Sequence, residues 1–416
     1  MSDLITTSAV LAVLALATSC AAAEGKMEMK LIPGQAELGT VEIQGVGAGE
    51  FRPELWRSGK LNIVPDVRQP LIEPRKQGVF RNIYAPSAVE IEGGWRLFYG
   101  AWDGVDTPND RIYSVTTRDF VDFTDRQIVI EHGDFVHCCN VSALRLPDGS
   151  WRLMCTVYPD ANDLNKPATF TSPDGVRWNG SPAPYPAKKS DIITIDGYDK
   201  FAPADINGMN VILYEDGVYR LYFNNFKDWG RIYRATSKDG KTFAFDGTAV
   251  EFGAVVNDVK KLAAGKDTWY LMALHMNGDK LWYALSRDGM KFEPPMDLAR
   301  NLGEKDRYMV AVGWVTKGNR VLGFLYGAGA VPTVDRNRIY GRWLQKKVVF
   351  VESDGTRYEA VGALGPDRQI LAAPIDRLPD GHFTVYAEDG STVLFDNLPA
   401  KLISGAVYVL GEADRK

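Results

Sequence analysis

The 416-residue chain is poor in cysteine and histidine, with four of each, and no apolar run is long enough to cross a bilayer as a helix. So few cysteines exclude a disulfide scaffold, and so few histidines leave little from which to build a zinc cluster. A surplus of positive charge is also missing. Lys and Arg total 48 against 53 Asp and Glu, a formal charge of −5, so nucleic acid is excluded as a partner. What the chain does have is 40 Gly, 10 Trp, 18 Tyr and 18 Phe. Glycine and aromatics in excess indicate many short strands joined by tight turns.

The first segment stands apart. Ala9 to Ala17 is a short apolar run followed by Thr18-Ser19-Cys20 and Ala21-Ala22-Ala23. Residues 1–23 read as a secretory signal peptide, cut after Ala23 or before a lipidated Cys20, which would be the chain's one link to a membrane. Export, to the periplasm, the cell surface or beyond, places Cys138, Cys139 and Cys155 in an oxidising compartment. Two readings stay open for them: a disulfide to Cys155, or buried apolar thiols.

A two-part pattern then recurs. Its first part is an apolar strand, a glycine-containing turn and an aromatic-rich strand, as in Ser87-AVEIEGGWRLFYG or Asn210-VILYEDGVYRLYF. Its second is an alternating strand that ends in a Ser/Thr-x-Asp-Gly turn with an aromatic close behind, as in Arg231-IYRATSKDGKTF. The turn aspartates are Asp119, Asp174, Asp239, Asp288 and Asp354, a spacing of about 59 residues. Five units of four antiparallel strands define an all-β fold, a five-bladed β-propeller over residues 75–360. Residues 24–74 are expected to pack along its side, and residues 361–416 to form a small β appendage.

Propeller geometry turns this repeat into a site. First strands begin, and second strands end, on one face around the axis, where their polar residues converge; Glu92, Asp148, Glu215 and Asp267 fall on the far rim. The convergent set includes Asn82, Trp102, Asp103, His137, Asn140, Asp205, Asn207, Asn225, Asp258, His275, Arg307 and Tyr308. Amides, carboxylates and aromatics together suit a sugar, whose hydroxyls need hydrogen bonds and whose ring needs a flat apolar partner. Asp103, Asp205, Asp258 and His275 are the candidates for acid/base chemistry. Trp102, Asn82, His137, Asn140, Asn207, Asn225, Arg307 and Tyr308 are the candidates for binding. No metal site or cofactor is expected from ligand spacing, although a structural cation in the channel is compatible with its carboxylates.

The blade strands around Tyr84-APSAVEIEGGWRLFYGAWDG and the Ser-x-Asp-Gly turns resemble the five-bladed propeller glycosidases, glycoside hydrolase families 43, 32, 68 and 117. That resemblance implies hydrolysis of glycosidic bonds by an aspartate of the first blade and acids of later ones. Two positions depart from it: Ala85-Pro86-Ser87 replaces an Asp-Pro opening, and Pro203-Ala204-Asp205 replaces a Glu-Gly-Pro motif. An Asp plus His arrangement, as in family 117, points to Asp258 and His275. The expected function is therefore an exported, exo-acting glycoside hydrolase. The alternatives are a carbohydrate-binding propeller without catalysis, and a polysaccharide lyase built on Tyr308, Arg307 and His275.

Overall fold

The computed structural model describes residues 25–30, 36–75, 83–103, 107–159, 165–198, 207–225, 228, 230–332 and 336–412. The leader and Cys20, together with Asn82 and Asp205, lie outside the described residues; Asn207 is described in its backbone only.

Five antiparallel sheets stand around one axis. Their innermost strands are Ile83–Ile91, His137–Arg145, Asn207–Glu215, Val255–Ala264 and Tyr308–Lys317. Each packs on the next and the last packs on the first, which closes the ring of a five-bladed propeller. The strand after each turn shows why these sequences make blades. In Gly94–Ala101, the residues Trp95, Leu97, Tyr99 and Ala101 join a core shared with the fifth blade. Phe98 points the other way and meets Trp151 and Trp178 of the second blade edge-on, at 5.8 and 5.9 Å. A strand buried on both faces needs a near-continuous apolar run, and the sequence supplies one.

The Ser-x-Asp-Gly turns are hydrogen-bonded devices. In the third blade Ser237 Oγ accepts from the Gly240 amide at 2.9 Å, and Asp239 Oδ1 accepts from Lys241 and Thr242 at 2.8 and 2.9 Å. These bonds hold the Asp239 carboxyl down at about 2. The glycine has a φ of 72°, in the left-handed region that side chains avoid. The first blade breaks this rule: Phe120 occupies the same place at φ 61° because its ring is buried between Trp95 and Trp343, at 4.9 and 5.0 Å.

Two features differ from the expected four-strand repeat. The second blade has three strands, and the chain after it lends Tyr185–Pro186 to the first blade and Thr194–Asp196 to the third, both in parallel. The fifth turn, at Asp354, is not a blade turn. It joins Lys347–Glu352 to Arg357–Ala363 within a separate eight-stranded sheet, and the outer strand of the fifth blade is Ile63–Pro65. An early segment thus completes the last blade and ties the ring shut. The six-residue helix Pro53–Ser58 packs instead where blades four and five meet, setting Trp56 edge-on to Tyr283 and Trp314 at 5.2 and 5.5 Å. The eight-stranded sheet combines Gly25–Lys30 and Thr40–Gln44 with C-terminal strands around Val41, Ile43, Phe350, Phe383 and Tyr408.

Cys138, Cys139 and Cys155 are free, buried thiols, so no disulfide joins them. Cys138 packs in the apolar core against Cys155, where burial holds its proton on.

Candidate active site

Every innermost strand is bulged near the axial face, between Tyr84 and Ser87, Cys139 and Ser142, Asn207 and Asn210, Val256 and Asp258, and Val310 and Val312. A bulge bends the strand and re-aims the residues before it. Three bulge residues sit in the left-handed region without being glycine: Ala85 at φ 53°, Asn140 at 54° and Ala311 at 45°. Such backbone costs about 1–3 kcal/mol per residue and persists only where the surroundings over-determine it. The closed ring does that here. Tyr84, Ala85, Cys139, Val255, Val310 and Ala311 form one buried apolar cluster, with Tyr158 against it.

That cluster carries no charge at neutral pH. Burial pushes Tyr84 and Cys139 well above their ordinary values, and the neighbouring Cys139 together with burial does the same to Tyr158.

Beside it, between the first two blades, His137 lies against Asp110. His137 Nδ1 is 3.1 Å from the Asp110 amide nitrogen and 3.2 Å from Asp110 Oδ2. His137 Nδ1 accepts the Asp110 amide proton. The His137 side chain is 31% exposed, while Asp110 is buried. The Tyr158 ring meets the imidazole edge-on at 5.4 Å. The turn before Arg111 is pinned to the second blade by Asn109 Nδ2 donating to Val136 O at 2.8 Å and by the Cys138 amide donating to Asp110 O at 3.0 Å.

The predicted carboxylates sit differently. Asp103 is fully enclosed: its Oδ1 accepts from the Arg75 amide at 2.7 Å, and its Oδ2 lies 3.2 Å from Arg75 Nε and 3.3 Å from an Arg126 nitrogen. Asp258 Oδ2 accepts from the Trp314 amide of the next blade at 2.9 Å and pairs with Lys260 at 3.1 Å. Ser87 and Ser142 make the matching bonds in earlier blades, to the Ala143 and Ile212 amides at 3.0 and 3.2 Å. Asp258 therefore occupies a position that staples one inner strand to the next. His275 is buried, with Nδ1 2.7 Å from Nδ2 and 3.0 Å from Oδ1 of Asn257, so that amide can serve either tautomer. Burial lowers its pKa to about 4, against a hydrogen bond to Asn277 that opposes the shift. Among the described residues, no hydrogen bond or ion pair joins Asp103, Asp258 and His275 to one another.

The binding candidates are spread around the axis. Asn140 is buried, and Asn225 donates from Nδ2 to the Tyr198 hydroxyl at 2.8 Å. Trp102 is partly buried at the end of its strand. Arg307 is exposed over the Tyr308 ring at 5.5 Å; Asp306 is held by Arg342 at 3.0 Å rather than by Arg307. Among the described residues, no group of three or more His, Cys, Asp or Glu comes together to hold a metal ion.

Asp110 is the residue that sequence reasoning missed. Third strands also begin on the axial face, because strands alternate direction, and Asp110 directly precedes the third strand Arg111–Thr117 of the first blade. Reading those starts as well would have found it.

No family model and no curated protein matches this chain. Solved structures do align with it. One is described by the statement that the GH130 family of mannoside phosphorylases contains glycoside hydrolases that target beta-1,2 mannosidic linkages in Candida mannan; it is 15% identical over 76% of this chain and 96% of that one, with a TM-score of 0.48. The catalytic domain of a Coprinopsis cinerea GH62 alpha-L-arabinofuranosidase is 14% identical over 69% and 98%, at 0.47. An N-acetylgalactosamine deacetylase from F. plautii, in complex with blood group B trisaccharide, is 14% identical over 68% and 95%, also at 0.47. These values assign neither a reaction nor a substrate to this chain.

Proposed function

We propose that this protein is a glycoside hydrolase that takes the terminal sugar of an oligo- or polysaccharide at the axial face. The observation that carries the reading is the partly exposed His137 held by buried Asp110 and flanked by Tyr158. An imidazole oriented at Nδ1 is free to exchange a proton at Nε2. His137 serves as one proton-transfer group; the second group that hydrolysis requires is assigned to Asp205, a candidate from the sequence that lies outside the described residues. In this reading Asp103 and Asp258 are framework residues, and His275 is a neutral donor or acceptor. Export through the 1–23 leader, with or without lipidation of Cys20, would deliver the enzyme to its polysaccharide.

The second reading, a carbohydrate-binding propeller without catalysis, is favoured by the enclosure of Asp103 and the stapling role of Asp258. Incubating the protein with arrayed glycans and resolving released products by chromatography separates the two. Product release that His137→Gln abolishes supports the hydrolase. Retention of a glycan without cleavage supports the binding module, and full activity of His137→Gln removes the assigned residue.

A further inference from the structure

On the far side from the axial face, where blades one and five meet the C-terminal sheet, lies a cavity of about 230 Å3. Arg118, Lys317, Arg320 and Arg368 line it with Asp119 and Asp367, and Trp95 forms part of its wall. Four cations thus face two anions. Asp119 is 3.2 Å from Arg368, and Asp367 accepts the Gly47 amide at 2.7 Å. Arg118, Lys317 and Arg320 have no carboxylate partner among the described residues, although Glu90 is close by, accepting the Gly318 amide at 2.7 Å. Trp95 is fixed by its Nε1 donating to Thr316 O at 2.7 Å, with Lys317 Nζ 6.0 Å from the ring.

Gathering unpaired cations at one cavity of a chain whose net charge is −5 runs against the composition. Their mutual repulsion is relieved when an anion enters. The cavity is smaller than the ~300–1,000 Å3 of sites for drug-sized ligands, which fits one charged group rather than a long chain. Arginines suit oxyanions because their donors are arranged as a planar fork.

We propose that this seam binds the sulfate or carboxylate group of an acidic glycan, at a site separate from the axial face. The anion preference stands on the cavity alone; the glycan source rests on the carbohydrate reading above. Calorimetry of the full chain at low salt, with three probes, tests both parts: inorganic sulfate, a sulfated uronate-containing disaccharide from heparin, and the same disaccharide after desulfation and carboxyl reduction. The sulfated disaccharide should bind most tightly, and the Lys317→Ser/Arg320→Ser double variant should weaken it about tenfold. These turn residues lie away from the axial face, so any glycan cleavage should be unchanged in that variant. Equal binding of inorganic sulfate and the sulfated disaccharide would overturn the glycan source. Absence of binding, or binding that the double variant leaves intact, would overturn the site. Loss of the hydrolase reading alone, with sulfated disaccharide still bound through Lys317 and Arg320, would leave this inference standing.

Discussion

The axial ends of blades two and four are built from similar residues and arranged for different work. Blade four holds Asn257, Asp258 and His275, all buried, with Asp258 bound to the next blade's backbone. Blade two holds His137, partly open to solvent, and borrows Asp110 from its neighbour. Both contain the histidine and carboxylate that acid/base chemistry asks for. The difference is commitment: Oδ2 of Asp258 already accepts from a strand amide and pairs with a lysine, which ties that carboxylate to the framework, whereas an imidazole held on one nitrogen keeps the other free.

The largest effect is expected at His137. His137→Gln should lower turnover on a cleaved glycan by at least about a hundredfold, the usual weight of a positioned acid/base group, with the thermal midpoint nearly unchanged. Next is Asp103→Ala, which leaves two arginines beside an empty buried pocket. Chemical denaturation should show a loss of about 3 kcal/mol, at the low end for broken buried pairs because Arg75 is half exposed. Asp258→Ala should cost about 2 kcal/mol through the orphaned Trp314 amide, and Asp258→Asn, which keeps an acceptor oxygen, should recover part of it.

His275 sharpens the contrast through pH. Its folded pKa of about 4 lies below the ordinary 6.5, so between these values the unfolded chain binds more protons than the folded one. Stability from this group is full above about 6.5 and is lost as pH falls toward 4, about 3 kcal/mol. A urea titration series should show that fall, and His275→Gln should flatten it across the same window. The smallest effect is expected at Ser142→Ala, about 1 kcal/mol for one inter-blade bond.

Much of this architecture is legible in the sequence. The glycine turns and double-faced apolar strands mark the blades, since each obeys a local rule. The Asp354 turn obeys the same local rule and yet belongs to another sheet, because a hairpin signal says nothing about which sheet the hairpin joins. Closure by Ile63–Pro65 is likewise a long-range pairing that three residues cannot announce. At the site, the axial face follows from strand direction, and His137 emerges from that rule. The roles of Asp103 and Asp258 depend on Arg75, Arg126 and the Trp314 amide, partners remote in the chain or on a neighbouring blade. Only the folded ring brings them together.

The most direct measurement compares two variants on one cleaved glycan: initial rates of product release for His137→Gln and Asp258→Asn, each verified as folded by its thermal transition. Asp258→Asn should keep most of the wild-type rate while His137→Gln loses nearly all of it. An active His137→Gln beside an inactive, folded Asp258→Asn would contradict that assignment and return the chemistry to blade four.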